Sequence, residues 1–411
     1  MSKSLTSTIS GNRLGGPRIC IVGAGIAGLS LAAFLSRLKI PFSIYDSRDA
    51  QKTGHNYGVN IGKKQYKPIV TSLQKTTTDF RNAVAVDNIL GGRGRVSKDV
   101  STRASGFSAS DKDVRGWLIR QLAEQGVQVH WDHKLVSLEK VPDGHGANLM
   151  FEGKPPVSTD IVIDSSGLRS AAINYGRSVP QPVLLPYATY NGTRRMSSQD
   201  FGAKYHHYFH DGNSFSVVPE SPGDPWIHVS KVHLRDGKST PEDHQVEVRW
   251  IYSRPPRDGV DPLYRPHRAP EEAKEIPCEF YQEFLDFIRQ HPSKNVRSKL
   301  SRFFSLSDLQ NDRILNWHLR VRLPPQEYFV TNSIRDSYQV IAIGDAARGL
   351  PIVKSSGAVA AMTDAHKLSL WLAEVKYTYE QEGSYTNLNF YADGLFWRNC
   401  AHRVSNTLKN P

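Results

Sequence analysis

Short apolar runs alternate with longer stretches in which apolar residues recur at helical intervals, and this alternation divides the chain. Ile19-Cys20-Ile21-Val22 reads as a buried parallel strand, and Ile26 to Leu35 carries apolar positions at helical spacing. Pro41-Phe42-Ser43-Ile44-Tyr45 predicts a second strand. After a polar, glycine-containing segment come Tyr66 to Leu73 and then Phe80 to Val86, which reads as a strand. Val114, Leu118, Ile119 and Leu122 share one helix face, which Gly126 ends before the strand Val127 to Trp131. Asp160 to Asp164 is a further short buried strand.

Between about Pro180 and Leu323 the pattern changes. Leu184 to Tyr190, Phe215 to Val218 and Gln245 to Tyr252 read as strands of an antiparallel sheet, the last alternating as if one face were covered. Proline-rich connections separate them, and Phe280, Phe284, Phe287 and Ile288 lie in helical phase. The first pattern then returns. Tyr338 to Ile343 predicts a strand, a helix from Gly357 carries Val359, Met362 and Ala365 toward Leu368 and Trp371, and Tyr379 to Pro411 predicts a terminal helix. The expected fold is α/β, a Rossmann-like domain with an inserted antiparallel β-sheet domain and C-terminal helices. Its expected divisions are a flexible tail at 1–16, a first part at 17–179, an inserted domain at 180–330, a return segment at 331–375 and a C-terminal helix at 376–411; residues 66–95 are expected to contribute to the inserted domain.

Three glycines join the first strand to its helix. Gly23, Gly25 and Gly28 stand at G-x-G-x-x-G spacing, and Asp46 follows eighteen residues beyond Gly28 at the end of the second strand. Such a turn suits a dinucleotide: the first glycine turns the chain, the second leaves room for a pyrophosphate, and the third lets helix and strand pack closely. The helix N-terminus then offers free N–H groups and the positive end of its dipole. An acid at Asp46 suits a ribose hydroxyl and favours FAD or NAD over NADP as the resident nucleotide.

Composition narrows the reading. A chain of 411 residues with 39% apolar and 22% charged residues can bury a large core without staples. The net charge of +12 is spread along the chain, so no nucleic-acid-binding block stands out, and Gly91-Gly92-Arg93-Gly94-Arg95 reads as a hairpin turn. Cys20, Cys278 and Cys400 show no metal-ligand spacing, and they suggest a reducing compartment. Met1 to Gly16 lacks the apolar core of a secretory signal, and no run is long enough to span a bilayer, so a cytoplasmic protein is expected.

Several positions invite chemistry and each has a plainer alternative. Arg115 falls in the first turn of its helix, where a solvated side chain is the plain reading. Asp164-Ser165-Ser166-Gly167 follows a strand with small residues that let backbone approach a ligand, or it forms an ordinary turn. His206 and His210 would share a strand face, but without a clustered carboxylate or cysteine no metal is expected. Arg194 and Arg195 follow a glycine-containing turn, and one of them could point over a ligand or both could be solvated. Gly344-Asp345-Ala346-Ala347 ends the returning strand, where an acid can bind a polyol hydroxyl.

Together these residues resemble the FAD-dependent aromatic hydroxylase family, the single-component flavoprotein monooxygenases with the para-hydroxybenzoate hydroxylase fold, from about residue 17 to 375. Gly23, Gly25, Gly28 and Asp46 match its ADP-binding part, Arg115 in Val-Arg-x-x-Leu matches its arginine near the flavin pyrophosphate, and Asp164 to Ser170 matches its Asp-Gly motif. Gly344-Asp345-Ala346-Ala347 with Pro351, Gly357, Ala358 and Asp364-Ala365 matches the segment that binds the ribityl chain and lines the isoalloxazine. The resemblance implies an FAD-binding domain, a substrate domain at 180–330, transient reduction by NADPH or NADH, and use of O2 to hydroxylate, epoxidise or otherwise oxygenate a hydrophobic aromatic or polycyclic substrate of the secondary-metabolite kind. Within that reading Arg195, and after it Arg194, are the candidate catalytic cations, holding a phenolate or enolate. Arg348, Lys354, Ser355 and Val359 depart from the family pattern. That departure keeps two alternatives open, a flavoprotein of isomerising, cyclising or dehydrogenating activity and a binding protein that retains the fold.

Overall fold

The computed structural model describes residues 17–50, 58–85, 107–141, 146–169, 172, 182–209, 214–217, 219, 221, 223–234, 245–321, 330–332, 339–347, 349 and 357–382. Strand β1 (Ile19–Val22) leads into helix α1 (Ile26–Arg37) and strand β2 (Phe42–Tyr45). Helices α2 (Lys63–Ser72), α3 (Thr77–Val84) and α4 (Asp111–Glu124) follow, then strands β3 (Val129–His130) and β4 (Ile161–Asp164). β1 lies between β2 and β4 and runs parallel to both, with Ile21 opposite Ile44 and Ile163. Arg18 fastens this layer at its start, its Nη2 donating to Asp160 Oδ1 at 2.9 Å and its backbone N–H to Asp160 Oδ2 at 2.9 Å.

The expected strand at Phe80 to Val86 is a helix through Val84, and only Ala85 is extended, in an isolated bridge to Ala109. Thr76 and Asp79 form a reciprocal capping box that starts α3, and Phe80 and Val84, one helical turn apart, are its buried face. Phe80 then packs against Tyr66, Phe107 and Trp117. An apolar run this short fits either period, and the cap decides between them.

The inserted region holds a five-stranded antiparallel sheet. Its strands are β5 (Ala188–Ser197), β6 (Ser214–Val217), β7 (Trp226–Leu234), β8 (Gln245–Arg254) and β9 (Arg313–Trp317), in the order β6-β7-β8-β5-β9. Helices α5 (Cys278–Gln290), α6 (Lys294–Phe303) and α7 (Leu306–Asn311) precede β9. Val246, Val248, Trp250 and Tyr252 of β8 join Phe280, Phe284 and Phe303 of the helices in an aromatic core. The expected one-sided burial of β8 does not hold, because Glu247, Arg249 and Ser253 on its other face are buried as well. Two further expectations change here. Gly192 lies inside β5 opposite Trp250 instead of in a turn, and His206 sits in a 3-10 helix, His206–Phe209, that ends before His210, which lies outside the described residues.

Strands β10 (Val330–Asn332) and β11 (Gln339–Ala342) then complete a six-stranded sheet in the order β10-β11-β4-β1-β2-β3. β11 is parallel to β4, and helix α8 (Gly357–Glu382) packs on α1. α8 is continuous through 376 and beyond Tyr379, where a separate terminal helix was expected. Residues 383–411, with Phe390 and Trp397, lie outside the described residues, as do Met1 to Gly16, Gly91 to Arg95 and Cys400.

Gly192 shows how tightly the inserted sheet is built. A Cβ there would lie 2.0 Å from two ring atoms of Trp250, whose indole Nε1 donates to Asp312 Oδ2 at 2.7 Å. The ring therefore cannot retreat without losing a buried hydrogen bond. Gly192→Ala is expected to lower unfolding stability by about 1–3 kcal/mol, the usual range for an overpacked core. Urea denaturation checks this, and an unchanged midpoint contradicts it.

Candidate functional site

The site is built at the C-terminal ends of β1, β2, β4 and β11, where an open parallel sheet offers a crevice. Gly23 has φ +108°, a conformation that favours glycine, and a Cβ on it would lie 2.5 Å from Ser165 O. A Cβ on Gly28 would lie 2.1 Å from Gly23 O and 2.6 Å from Ser165 Oγ. Gly25 differs: its nearest contact is Ser165 O at 4.0 Å, so the cradle is open at this position alone of the three. α1 begins there with no side-chain cap and no acid in its first turn. Open space before uncapped N–H groups fits a pyrophosphate.

Ser165 is a residue whose role the sequence analysis did not single out. Its hydroxyl bonds Gly23 O at 2.6 Å and Val22 O at 3.0 Å. The turn after β4 thereby clamps the glycine turn after β1. Ser166 in turn donates to Asp164 Oδ1 through both its backbone N–H, at 3.0 Å, and its hydroxyl, at 2.6 Å. No spacing rule marks Ser165, since its partners are more than 140 positions away in the chain.

Asp46 is buried at the end of β2. It accepts from Ala24 N at 2.7 Å and from Arg48 through N and Nε at 2.8 Å each and Nη2 at 2.7 Å. Burial alone would raise its carboxyl, but the Arg48 guanidinium and the two backbone N–H groups hold it below the ordinary carboxylate value. Any ribose hydroxyl therefore meets Asp46 and Arg48 as a unit.

Arg115 is buried on the inner side of α4, not solvated, and its Nε donates to Asp111 Oδ2 at 2.7 Å one turn earlier. Gly344, with φ +61°, begins the turn after β11; a Cβ there would come within 3.0 Å of Ala27 Cβ on α1, and its N–H donates to Asp364 Oδ2 at 3.0 Å. Asp345 lies beside the start of α8, its Oδ1 3.6 Å from where a Gly357 Cβ would stand, and Ala358 is buried next to it. Gly23, Gly25, Gly28, Asp46, Asp345 and Gly357 thus gather at one end of the sheet. Arg348, Pro351, Lys354 and Ser355 lie outside the described residues.

The two candidate arginines on β5 face opposite ways. Arg194 turns toward the helix-covered side, bonding Asp312 through Nε at 2.7 Å and Nη2 at 3.0 Å, and Tyr205 Oη and Phe303 O through Nη1. Arg195 faces the other side, donates to Glu247 Oε2 at 2.8 Å and leaves 64% of its side chain exposed. On that second face Arg249 also bonds Glu247, Trp226 stacks on His228 at 5.5 Å, and His228 Nδ1 lies 2.8 Å from Ser216 Oγ. Among the described residues no group of three His, Cys, Asp or Glu is placed to hold a metal.

Burial pushes the His228 imidazole down to about 4, so it is neutral at physiological pH. The unfolded chain protonates at its ordinary value near 6.5, so folding stability is complete above that pH and falls between it and about 4. His228→Gln is expected to remove up to about 3 kcal/mol of this acid-side loss. Chemical denaturation of both proteins at pH 7.5, 6 and 5 checks it, and parallel curves contradict it.

The comparisons with known proteins agree with this geometry. The family described as NAD(P)-binding Rossmann-like domain matches residues 21–61, a stretch that includes the glycine turn and Asp46. The chain is 24% identical to the FAD-dependent monooxygenase adaC of Aspergillus niger, over 94% of this chain and 91% of that protein. It is 23% identical to the FAD-dependent monooxygenase aptC of Emericella nidulans, over 94% and 92%. Among solved structures, a putative FAD-containing monooxygenase from Photorhabdus luminescens superposes with TM-score 0.57 at 20% identity, covering 88% of this chain and 89% of its own. The 2,6-dihydroxypyridine-3-hydroxylase of Arthrobacter nicotinovorans gives 0.58 at 15% identity, covering 87% and 84%. The chain thus has the fold of the FAD-dependent aromatic hydroxylases of the para-hydroxybenzoate hydroxylase type, and its similarity to flavoprotein monooxygenases extends over nearly its whole length.

Proposed function

We propose that the chain is an FAD-dependent monooxygenase that takes reducing equivalents from NADPH or NADH and oxygenates a hydrophobic aromatic or polycyclic substrate of the secondary-metabolite kind. The observation that carries the reading is the interlocking of three strand-end turns, Gly23 to Gly28, Asp164 to Gly167 and Gly344 to Ala346, around the open position at Gly25. A plain nicotinamide dehydrogenase has no use for the third.

When bound, FAD supplies the redox chemistry that passes electrons from the nicotinamide to O2. The work of the chain is to bind, orient and exclude water. In this reading Gly23, Gly25 and Gly28 bring the backbone and the α1 N-terminus against the pyrophosphate, and Arg115 adds charge there. Asp46, oriented by Arg48, takes the adenosine ribose, and Asp345 takes the ribityl hydroxyls. Gly357 and Ala358 line the ring. Residues 17–179 and 331–375 form the FAD-binding part and 180–330 the substrate part. Arg195 stands at the exposed margin of the sheet face as the candidate cation for a phenolate or enolate, whereas Arg194, with its bonds to Asp312, supports the sheet. Substrate and O2 are the expected small-molecule partners, with no nucleic acid. Among the described residues no helix is long and apolar enough to cross a membrane, and a cytoplasmic location completes the proposal.

The deciding measurement is the absorption spectrum of the purified protein with added FAD, followed by anaerobic NADPH. A flavin band that bleaches, and O2 uptake coupled to product once substrate is supplied, is the expected result. Bleaching without substrate-coupled O2 uptake favours a non-oxygenating flavoprotein, and a protein that binds no FAD favours a binding protein. Asp345→Ala is expected to weaken FAD about 10- to 100-fold, as loss of a charged hydrogen-bonding partner does. Fluorescence titration of the flavin measures it, and an unchanged affinity removes Asp345 from the site.

A further inference from the structure

We propose that Arg48 is a built-in competitor for the adenosine ribose: its guanidinium holds the positions on Asp46 that the ribose hydroxyls need, so a dinucleotide engages this acid only by displacing the arginine. The inference rests on the dinucleotide reading of the site and deepens it. A carboxylate offers about four acceptor positions, two on each oxygen. Asp46 already receives four donor groups. Its Oδ1 accepts from Arg48 N and Nε, each at 2.8 Å, and its Oδ2 from Ala24 N and Arg48 Nη2, each at 2.7 Å. The two backbone donors belong to the turns, and the guanidinium fills the positions that remain.

The layout makes the arginine the part that moves. The Asp46 side chain is 5% exposed and that of Arg48 30%, so the guanidinium is the outer member of the pair. The acid itself is fixed: its backbone N–H donates to His130 O at 2.9 Å, its carbonyl accepts from His133 N at 2.9 Å, and Tyr45 O before it accepts from Gly23 N at 2.7 Å. The Arg48 backbone is tied as well, its carbonyl accepting from Asp132 N at 3.0 Å. Only the Arg48 side chain, which also reaches Ala24 O through Nη2 at 3.1 Å, can yield without breaking the turns. Trading two charge-assisted bonds from arginine for two from ribose hydroxyls returns little net free energy. The ribose therefore adds little to affinity while Arg48 is present, and retention of the nucleotide falls to its pyrophosphate and its other parts.

The test is calorimetry of the full chain with ADP and with 2′,3′-dideoxy-ADP, probes of equal charge that differ only in the ribose hydroxyls. The unaltered protein is expected to bind the two within about threefold of each other, because the hydroxyls replace bonds of similar strength. Arg48→Met keeps the length of the side chain and removes its donors; ADP is then expected to bind about tenfold tighter than the dideoxy form or better, as new bonds to an ionised acid require. Arg48→Lys, which cannot bridge both carboxylate oxygens with a planar fork, is expected to fall between. A preference of about tenfold for ADP in the unaltered protein, as an acid open to the ribose gives, overturns the proposal and needs no variant to fold. An unchanged ratio in Arg48→Met, or no ADP binding at millimolar concentration, overturns it as well. Failure of the monooxygenase reading looks different: the protein then binds no FAD, while the ADP pair still reports its ratio, because ADP is common to FAD and the nicotinamide dinucleotides.

Discussion

The tightest constraint in the molecule is the contact between the turn after β1 and the turn after β4. Gly23, Gly28 and the Ser165 backbone and hydroxyl meet at distances that leave no room for a Cβ on either glycine. Because Ser165 also bonds both Val22 O and Gly23 O, the two strand ends cannot slide relative to each other. The turn after β11 joins them through Gly344 against Ala27. Position 25 stays open within this closed arrangement, and the helix points its uncapped end at it. The opening at position 25 follows from steric exclusion of side chains on both sides of it.

The inserted sheet works by a different principle. Its helix-covered face is held by aromatic packing around Trp250, and the polar groups that penetrate it are satisfied almost completely. Asp312 receives Arg194 and the Trp250 indole together, and Arg254 is enclosed by Asp261 and Glu283. Burying such pairs is worthwhile only with full hydrogen bonding, and their value here is that they set which strand face is which. The opposite face carries Glu247 bonded by Arg195 and Arg249, together with the stacked Trp226 and His228 rings.

These two constructions fit the division of labour that an oxygenating flavoprotein needs. The turns after β1, β4 and β11 are fixed by backbone groups and short side chains, which leaves little freedom. The inserted sheet instead carries longer polar side chains whose spacing its register fixes. Asp46 with Arg48, and Glu247 with Arg195 and Arg249, use the same device in both places: a buried carboxylate kept ionised by arginine, which orients the guanidinium toward its neighbour.

The strand-glycine-helix order, the acid after β2, the returning Gly-Asp segment and the strand-rich insertion were all legible in the chain, because each depends on contacts between near neighbours or on a backbone that only glycine permits. So was the resemblance that joined them. Tertiary structure decided the rest. Phe80 to Val84 became a helix because a cap outweighs an ambiguous apolar run, and Gly192 entered a strand because the Trp250 ring needed its missing side chain. Ser165 acquired its role through partners more than 140 positions distant. Arg194 and Arg195, adjacent in sequence, were sent to opposite faces by the pleat, and Arg249, unremarkable in a strand pattern, was left with a buried N–H and no acceptor among the described residues. Local sequence encodes backbone conformation, whereas which polar groups end up satisfied depends on what the completed sheet brings beside them.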